Sequence, residues 1–235
     1  MNVLGVIPAR KGSKRLENKN FANFAGKPLV EWTIEASFES KVFTNIVLST
    51  DSKADLDIFS NWGLLDIGVR PKELSIDSST SLSVINHVLE LAEKKTNIEY
   101  DAVVTLQPTS PLRTAEDIKN ALQKFLLNKK SDSLVSITEI PHIFNPQKVI
   151  KDLKEFLEFE QNSIAQFYKS FYAPNGAAIY ITSREILPHK LIGSNCTHYT
   201  MPRWRSIDID TFEDFVIAEL IMKNKNLFNH LSNIF

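Results

Sequence analysis

The feature that most constrains the fold of this chain is a regular alternation of short β-rich runs and helical patterns. Apolar β-rich runs occupy residues 3–7, 45–49, 102–106, 133–137 and 177–182. Most of them precede a segment in which apolar residues recur at helical spacing, and such alternation predicts crossover units around a mostly parallel sheet. The predicted class is therefore α/β. In open parallel sheets, ligands bind beyond the carboxyl ends of the strands, so the loops at those ends are the candidate sites.

The predicted helices begin at recognisable capping positions. Ser52, Thr114 and Thr211 are each followed three residues later by an aspartate, which is the pattern of an N-capped helix. The C-terminal helix carries the apolar residues Phe212, Phe215, Val216 and Leu220. Residues 141–174 interrupt this alternation of strands and helices, since they are rich in charged and aromatic residues and their apolar residues show only weak periodicity. We interpret them as an excursion from the sheet, so that residues 1–235 are predicted to form a single domain.

Composition excludes several classes of protein. The 27 basic and 28 acidic residues give a net charge of −1, which argues against a general nucleic-acid or membrane coat. The lone cysteine, Cys196, cannot form an internal disulfide, and no apolar run approaches the eighteen or so residues of a membrane helix. Because the N-terminal sequence also lacks a signal-peptide pattern, we expect a cytoplasmic protein.

A cluster of positive charge follows the first predicted strand. Five basic residues lie between Arg10 and Lys19 against Glu17 alone, and Gly12, Ser13 and Lys14 lie among them. A loop at a strand end can aim backbone N–H groups at an anion, with Gly12 permitting a turn that a side chain would block. The loop matches neither the Walker nor the dinucleotide pattern of glycines. It predicts a polyphosphate site of another type; the alternative is a solvated basic loop.

Two further sets of polar residues follow predicted strands. Gln107 lies in a loop that two prolines keep out of helical conformation, which indicates either a ligand-facing side chain or a rigid turn. Asp208 and Asp210 lie in a predicted final strand, where alternation places both on one face. Two adjacent carboxylates suit a hard cation such as Mg²⁺. The alternative is that the Asp210 carboxylate stabilises the N-terminus of the following helix and that Asp208 is a salt-bridge partner.

Taken together, these motifs resemble the acylneuraminate cytidylyltransferases, which include the CMP-sialic acid and CMP-legionaminic acid synthetases. The matching segments, in order, are 10–14 with 19–20, 26–29, 49–51, 70–71, 106–113, 175–177 and 206–211. The resemblance implies a three-layer, Rossmann-like nucleotidyltransferase fold, a Mg²⁺ requirement and a homodimer. Residues 141–174 would be its dimerisation arm, contributing to the sugar pocket of the other subunit.

The resemblance also implies roles for individual residues. The CTP phosphates and nucleotide would be bound by Arg10, Gly12, Ser13, Lys14, Lys19, Asn20 and Ser81. Gln107 would face the sugar, Asn175 and Gly176 would shape its pocket, and Asp208 with Asp210 would hold the metal. Of these residues, Arg10, Lys14 and Asp210 would be catalytic. The implied reaction transfers CMP from CTP to the anomeric hydroxyl of a nonulosonic acid and releases pyrophosphate.

One departure from the family pattern bears on the substrate. Relatives often carry an arginine just before a glutamine ahead of the Asn175 motif, whereas here Ala165 precedes Gln166 and Lys169 is the nearest cation. Two alternatives therefore stay open: an enzyme for pseudaminic acid or another 2-keto sugar acid, and a non-catalytic family member. A nucleic-acid-binding module would leave Gln107 and the aspartate pair unexplained.

Overall fold

A mixed seven-stranded sheet forms the centre of the protein. The computed structural model describes residues 1–12, 16–141, 144, 170–176, 178–187 and 189–232. The strands are β1 Val3–Pro8, β2 Asn23–Phe24, β3 Lys27–Pro28, β4 Asn45–Ser49, β5 Ala102–Thr105, β6 Ser133–Glu139, β7 Tyr172–Pro174, β8 Tyr180–Ser183 and β9 Cys196–Thr200. The helices are α1 Leu29–Ser40, α2 Lys53–Ile58, α3 Ser81–Thr96, α4 Ala115–Leu127, α5 Phe212–Lys223 and α6 Lys225–Ser232.

The order of the strands is β4-β1-β5-β8-β6-β7, and β9 pairs with β6. Strand β1 runs parallel to both β4 and β5, and β9 runs parallel to β6. Strand β8 is antiparallel to β5 and β6, and β7 is antiparallel to β6. Strands β2 and β3 form a separate hairpin. The parallel half around β1 follows from the strand and helix alternation in the sequence.

Helices cover both faces of the sheet, which gives the predicted α/β layering. On one face, α1 and α4 bury Ile34, Ile118 and Phe125 in the main core. On the other face, α3 buries Ile85 and Leu89. A third apolar cluster lies under the hairpin and α5. In the described part of the chain, no helix combines the length and apolar content needed to cross a membrane.

The capping predictions are confirmed, whereas one predicted strand is absent and one strand was missed. The side chains of Ser52, Thr114 and Thr211 each accept the predicted backbone hydrogen bond, the last two within complete capping boxes. The predicted strand over residues 206–210 is irregular backbone instead. Strand β9 was missed because it exposes most of its residues and so lacks an apolar pattern.

The predicted excursion over 141–174 ends in strand β7, so its last residues belong to the sheet. Strand β7 pairs with residues 137–139 of β6, and β8 pairs with residues 133–135 of the same strand. Strands β7 and β8 therefore follow one another along the same edge of β6, and Asn175 and Ile179 both hydrogen-bond to Ser136 between them. The fifth strand begins at Tyr180, three residues later than predicted. Residues 142, 143 and 145–169 of the predicted arm lie outside the described residues.

Candidate active site

A cleft of about 260 Å³ lies at the carboxyl ends of β1 and β5. It brings together most of the predicted nucleotide residues, because neighbouring parallel strands end at the same edge of the sheet. Its lining includes Arg10, Lys19, Asn20, Ser81, Gln107 and Thr109 from the predicted motifs. The opposite wall is formed by residues between Arg70 and Ile85.

Arg10 extends across the cleft from the end of β1. Its Nη1 atom donates to Oδ1 of Asp77 at 2.7 Å and to the carbonyl of Ser75 at 3.4 Å. The buried Asn20 donates from Nδ2 to the Arg10 carbonyl at 2.9 Å. An exposed carboxylate, that of Asp77, therefore holds the Arg10 guanidinium in the cleft. A buried amide, that of Asn20, fixes the Arg10 backbone.

The loop after β1 is tied to the neighbouring strand. The backbone N–H of Lys11 donates to Oδ1 of Asp51, just beyond β4, at 2.8 Å. Gly12 has no left-handed φ, and an added Cβ would meet no described atom within 4 Å, so the described residues give no steric reason for a glycine there. Ser13 and Lys14 lie outside the described residues.

Lys19 connects the basic loop to the predicted metal ligands. Its Nζ donates to the carbonyl of Ile209 and lies 3.2 Å from Oδ1 of Asp210. The Lys19 side chain is 11% exposed and that of Asp210 is 52% exposed. Lys19 lines the cleft and the carboxylate lies beside it, so a phosphate group could replace Asp210 as the partner of Lys19.

Asp208 lies deeper than Asp210. Its Oδ1 atom is buried and has no hydrogen-bond partner within the described part of the protein. Burial raises the pKa of the Asp208 carboxyl above its ordinary value; hydrogen bonding to Thr109 opposes that shift, and the charge of Asp210 adds to it. The irregular backbone of residues 206–210 is held by the Ile209 N–H, which donates to the carbonyl of Thr109 at 2.8 Å. The two aspartates thus interact electrostatically, as predicted, without forming a strand.

Gly176 leaves the space that Asp208 occupies. A Cβ at this glycine would lie 2.2 Å from Oδ2 of Asp208, and its φ of +67° is one that side chains rarely adopt. The sequence motif containing Gly176 therefore has a steric explanation in this fold. Asp208 in turn lies beside Thr109, which lines the cleft, so the predicted sugar and metal residues adjoin the nucleotide residues.

Asn175 forms the centre of a buried polar network. It is 4% exposed, and its Oδ1 atom accepts a hydrogen bond of 2.6 Å from the Ser136 hydroxyl. Its Nδ2 atom donates to Oγ of Ser206 at 2.9 Å. Asn175 therefore fixes the segment before Asp208 to strand β6. In this structure the amide supports the site and is not displayed in the lining of the cleft.

Gln107 is supported by a buried arginine that sequence reasoning did not single out. The guanidinium of Arg113 donates to the carbonyls of Gln107 and Ala178 and to the Thr33 hydroxyl. Burial lowers the pKa of Arg113 to about 9. Its position between α1, the segment just before β8 and the proline-framed loop was not predictable from spacing. The prolines themselves were the local signal that this loop is rigid.

Arg70 and Asp77 are the other charged residues in the described lining of the cleft, and no role was assigned to them from sequence. Arg70 is buried and donates to both the hydroxyl and the carbonyl of Ser49 at the end of β4. Burial lowers its pKa to about 10; the charge of Asp51 opposes this shift and that of Arg10 adds to it. A buried cation in the cleft wall is the kind of perturbed group found at functional sites.

Comparison with known structures supports the fold. The chain superposes on a CMP:2-keto-3-deoxy-manno-octonic acid synthetase in complex with CTP with a TM-score of 0.71 and 16% identity, covering 96% of this chain and 100% of the other. At that identity, the likeness establishes the fold.

Comparison of sequences establishes the family. The chain is 32% identical to an N-acylneuraminate cytidylyltransferase of Escherichia coli, covering 95% of this chain but 53% of that one, so it spans about half the length of that relative. It is 31% identical to a pseudaminic acid cytidylyltransferase of Campylobacter jejuni and 34% identical to a CMP-N,N'-diacetyllegionaminic acid synthase of Legionella pneumophila, in both cases covering 95% of this chain and 97% of the relative. The family profile described as cytidylyltransferase matches residues 4–230. The chain therefore belongs to the cytidylyltransferase family.

Proposed function

We propose that this protein transfers CMP from CTP to the anomeric hydroxyl of a nonulosonic acid and releases pyrophosphate. The observation that carries the proposal is one cleft that brings Arg10, Lys19 and Gln107 together, with Asp208 and Asp210 adjoining it through Thr109 and Lys19. Relatives named for sialic, pseudaminic and legionaminic acids support a nonulosonic acid as the acceptor.

The proposed chemistry requires positioning and charge compensation. The anomeric oxygen attacks the α-phosphorus of CTP, the bond from that phosphorus to the bridging oxygen of the β-phosphate breaks, and the anomeric hydroxyl loses its proton. Arg10 and Lys14 neutralise the departing pyrophosphate, and Asn20 holds the backbone of Arg10 in place. Gln107, on a loop held by Arg113, orients the sugar acid.

The aspartate pair has the donor chemistry for Mg²⁺. Asp208 has a buried carboxylate oxygen without a described partner, and carboxylate oxygens are preferred ligands of this ion. Among the described residues, no group of three or more acidic, histidine or cysteine side chains could hold a metal alone. Two carboxylates with substrate phosphates are a usual magnesium arrangement. When bound, Mg²⁺ would neutralise charge on the phosphate oxygens.

The direct test is a pyrophosphate-release assay with CTP, Mg²⁺ and a panel of sialic, legionaminic and pseudaminic acids. We expect release that requires the acid and is selective for one class of the panel. The class that reacts identifies the acceptor, which the replacement of the usual arginine by Ala165 leaves open. A protein that binds CTP but releases no pyrophosphate with any acid would be a non-catalytic family member.

The metal assignment is tested by a magnesium titration of the initial rate. Asp210→Asn keeps the size of the side chain but removes its charge, so activity should collapse at low magnesium and recover partly at high magnesium; Asp208→Asn should do the same. Glu213→Gln is the matched control, because Glu213 is an exposed carboxylate in the first turn of α5. It should leave the magnesium dependence unchanged. Identical magnesium curves for all variants would contradict the assignment.

We also propose a homodimer built by residues 141–174 and a location in the cytoplasm. The homodimer rests on the family resemblance, and the single cysteine fits a reducing compartment. Sedimentation should give about twice the monomer mass of 26.7 kDa at assay concentration. Removing the arm should abolish both association and activity, and a fully active monomer would contradict this part of the proposal.

A further inference from the structure

The carboxylate of Asp117 has partners beyond the helix that it caps. Its Oδ2 atom completes the capping box of α4, accepting hydrogen bonds from the Thr114 backbone N–H at 2.9 Å and from the Thr114 hydroxyl at 2.8 Å. Its Oδ1 atom accepts from the Tyr199 hydroxyl at 3.2 Å and from Nη2 of Arg205 at 2.8 Å. A capping box needs only the first set of contacts. The second oxygen therefore connects the start of α4 to strand β9 and to the turn that follows it.

The ion pair between Asp117 and Arg205 is buried. The side chain of Asp117 is 1% exposed and that of Arg205 is 20% exposed. Among the ion pairs of the described residues, this one has the most buried carboxylate. Exposed pairs contribute little to stability, whereas removing one partner of a buried pair leaves a charge without compensation. The pair can therefore fix the relative positions of the two segments that carry it.

Arg205 lies three residues before Asp208, at the end of a 3-10 turn. The backbone of residues 206–210 belongs to no strand, so separate contacts position it. Ser206 is held through its hydroxyl and Ile209 through its backbone N–H. The ion pair of Arg205 adds a third attachment, on the N-terminal side of Asp208.

The same carboxylate also acts on the loop that carries Gln107. Arg113, four residues before Asp117, donates to the Gln107 carbonyl. The charge of Asp117 opposes the fall of the Arg113 pKa that burial causes. Asp117 therefore interacts with two arginines: one supports the loop proposed to face the sugar, and the other precedes the proposed metal ligands.

We propose that Asp117 and Arg205 are positioning residues, whose buried ion pair fixes residues 206–210 so that Asp208 and Asp210 can bind one cation. The inference rests on the proposed function, in which these two aspartates hold Mg²⁺. Neither Asp117 nor Arg205 belongs to the described lining of the cleft, so both act through the aspartates.

The competing explanation is that apolar packing holds the segment without the ion pair. Trp204 and Ile207 lie on either side of Arg205 in the chain and pack against the third apolar cluster. Arg205→Met separates the two explanations, because methionine keeps an apolar side chain beside Trp204 but cannot pair with Asp117. Tyr199→Phe is the matched control. It removes the other hydrogen bond to the same carboxylate oxygen, but β9 is fixed independently by its pairing with β6.

Amide hydrogen exchange of the protein without substrates tests the positioning directly. We expect exchange at residues 206–210 to be at least about tenfold faster in Arg205→Met than in the wild type. Exchange in β4, at the opposite edge of the sheet, should be unchanged, and Tyr199→Phe should match the wild type at residues 206–210. Equal protection of this segment in the wild type and in Arg205→Met would overturn the proposal, and so would an equal increase in Tyr199→Phe.

Binding of Mn²⁺ alone, followed by the EPR signal of the free ion, tests the link to the metal, because carboxylates bind Mn²⁺ as they bind Mg²⁺. We expect the dissociation constant to rise about tenfold or more in Arg205→Met and to stay unchanged in Tyr199→Phe. Asp117→Asn keeps an oxygen for the capping box but loses the charge, so it should match Arg205→Met. The double variant should bind no more weakly than either single variant, and additive losses would contradict action through one ion pair.

These measurements separate the inference from the proposed reaction. A wild type that releases no pyrophosphate with any acid would reject the proposed reaction, whereas hydrogen exchange and Mn²⁺ binding would still decide the role of the ion pair. An active wild type whose Mn²⁺ affinity is shared by Arg205→Met would overturn the inference alone. A wild type that binds no Mn²⁺ would overturn the metal assignment and this inference with it.

Discussion

The two sides of the candidate site are built differently. On the proposed nucleotide side, two cations are held by exposed carboxylates: Arg10 pairs with Asp77, and Lys19 pairs with Asp210. On the sugar side, the polar groups are held by buried networks, of which Asn175 is the clearest example. On the proposed nucleotide side, a phosphate could therefore replace the carboxylates that pair with the cations. On the proposed sugar side, buried hydrogen bonds keep the polar groups in fixed positions.

This difference fits what each of the two proposed substrates presents. A triphosphate is strongly charged, so mobile cations at the rim can meet it and exchange their carboxylate partners for phosphate oxygens. A sugar acid is recognised by hydroxyl and amide groups, whose hydrogen bonds discriminate only when the site is rigid. Substitutions on the nucleotide side should therefore change rate and affinity with little effect on folding, and substitutions on the sugar side should change both.

The largest expected effect is the loss of Arg10. Arg10→Ala should lower turnover by about two orders of magnitude or more, because a charge-assisted phosphate contact in a closed site contributes about 2–4 kcal/mol. Lys14→Ala should have an effect of the same size. Arg184→Ala is the matched control, because Arg184 forms a similarly exposed ion pair with Glu93 away from the cleft. Unchanged turnover in both loop variants would leave a solvated basic loop as the better interpretation.

The fixed shape of the sugar side is tested by Gly176→Ala. The new Cβ would displace Asp208, so turnover should fall at least about tenfold, in addition to a conformational cost of about 1–2 kcal/mol for the left-handed backbone. Gly63→Ala is the control, because Gly63 has a φ of +79° but open space around it. Thermal melts should show that both variants are destabilised. Rate assays should show a lower turnover in Gly176→Ala alone. Equal activity of the two variants would contradict a positioning role for the Gly176 and Asp208 contact.

A smaller effect on stability is expected at Asp208. Burial raises the pKa of this carboxyl in the folded protein, so its ionised form destabilises the fold at pH values above the pKa of the unfolded chain. Asp208→Asn should therefore melt at the same or a higher temperature than the wild type at neutral pH, despite its loss of activity. The difference should shrink as pH falls through the folded pKa, because the wild-type carboxyl then becomes neutral.

Asp210→Asn serves as the comparison in these melts. Asp210 is half exposed and paired with Lys19, so neutralising it should not stabilise the protein. A clear loss of stability in Asp208→Asn at neutral pH, measured by thermal melts at several pH values, would show that the ionised carboxylate contributes to the fold.

The smallest effect is expected at Asp77. Arg10 must leave this carboxylate to reach a phosphate, and exposed ion pairs contribute only about 0.2–1 kcal/mol. Asp77→Asn should therefore lower the KM for CTP by up to about fivefold. Asp57→Asn removes a similarly exposed partner of Lys53 and should leave the KM unchanged. A higher KM in Asp77→Asn would mean that Asp77 positions Arg10 for the nucleotide and does not compete with it.

Local patterns predicted much of the fold. The buried strands β1, β4 and β5 are short runs of apolar residues, and the helix starts at Thr114 and Thr211 depend on contacts within four residues. Such elements can be predicted because their residues determine their own conformation. The edge strand β9 and the irregular segment at residues 206–210 could not be predicted, because their conformation depends on distant partners in β6 and at Thr109.

The sequence by itself determined the chemistry that this chain can offer: a cluster of cations after the first strand, a rigid polar loop and an adjacent pair of carboxylates. Only the tertiary structure decided how these groups relate to one another. It placed Arg10 against Asp77 and Lys19 against Asp210, and it buried Arg113 behind Gln107. It also left Leu220 of α5 exposed on the surface. The physical reason is that residue type fixes charge and hydrogen-bonding capacity, whereas burial and partners arise from contacts between residues far apart in the chain.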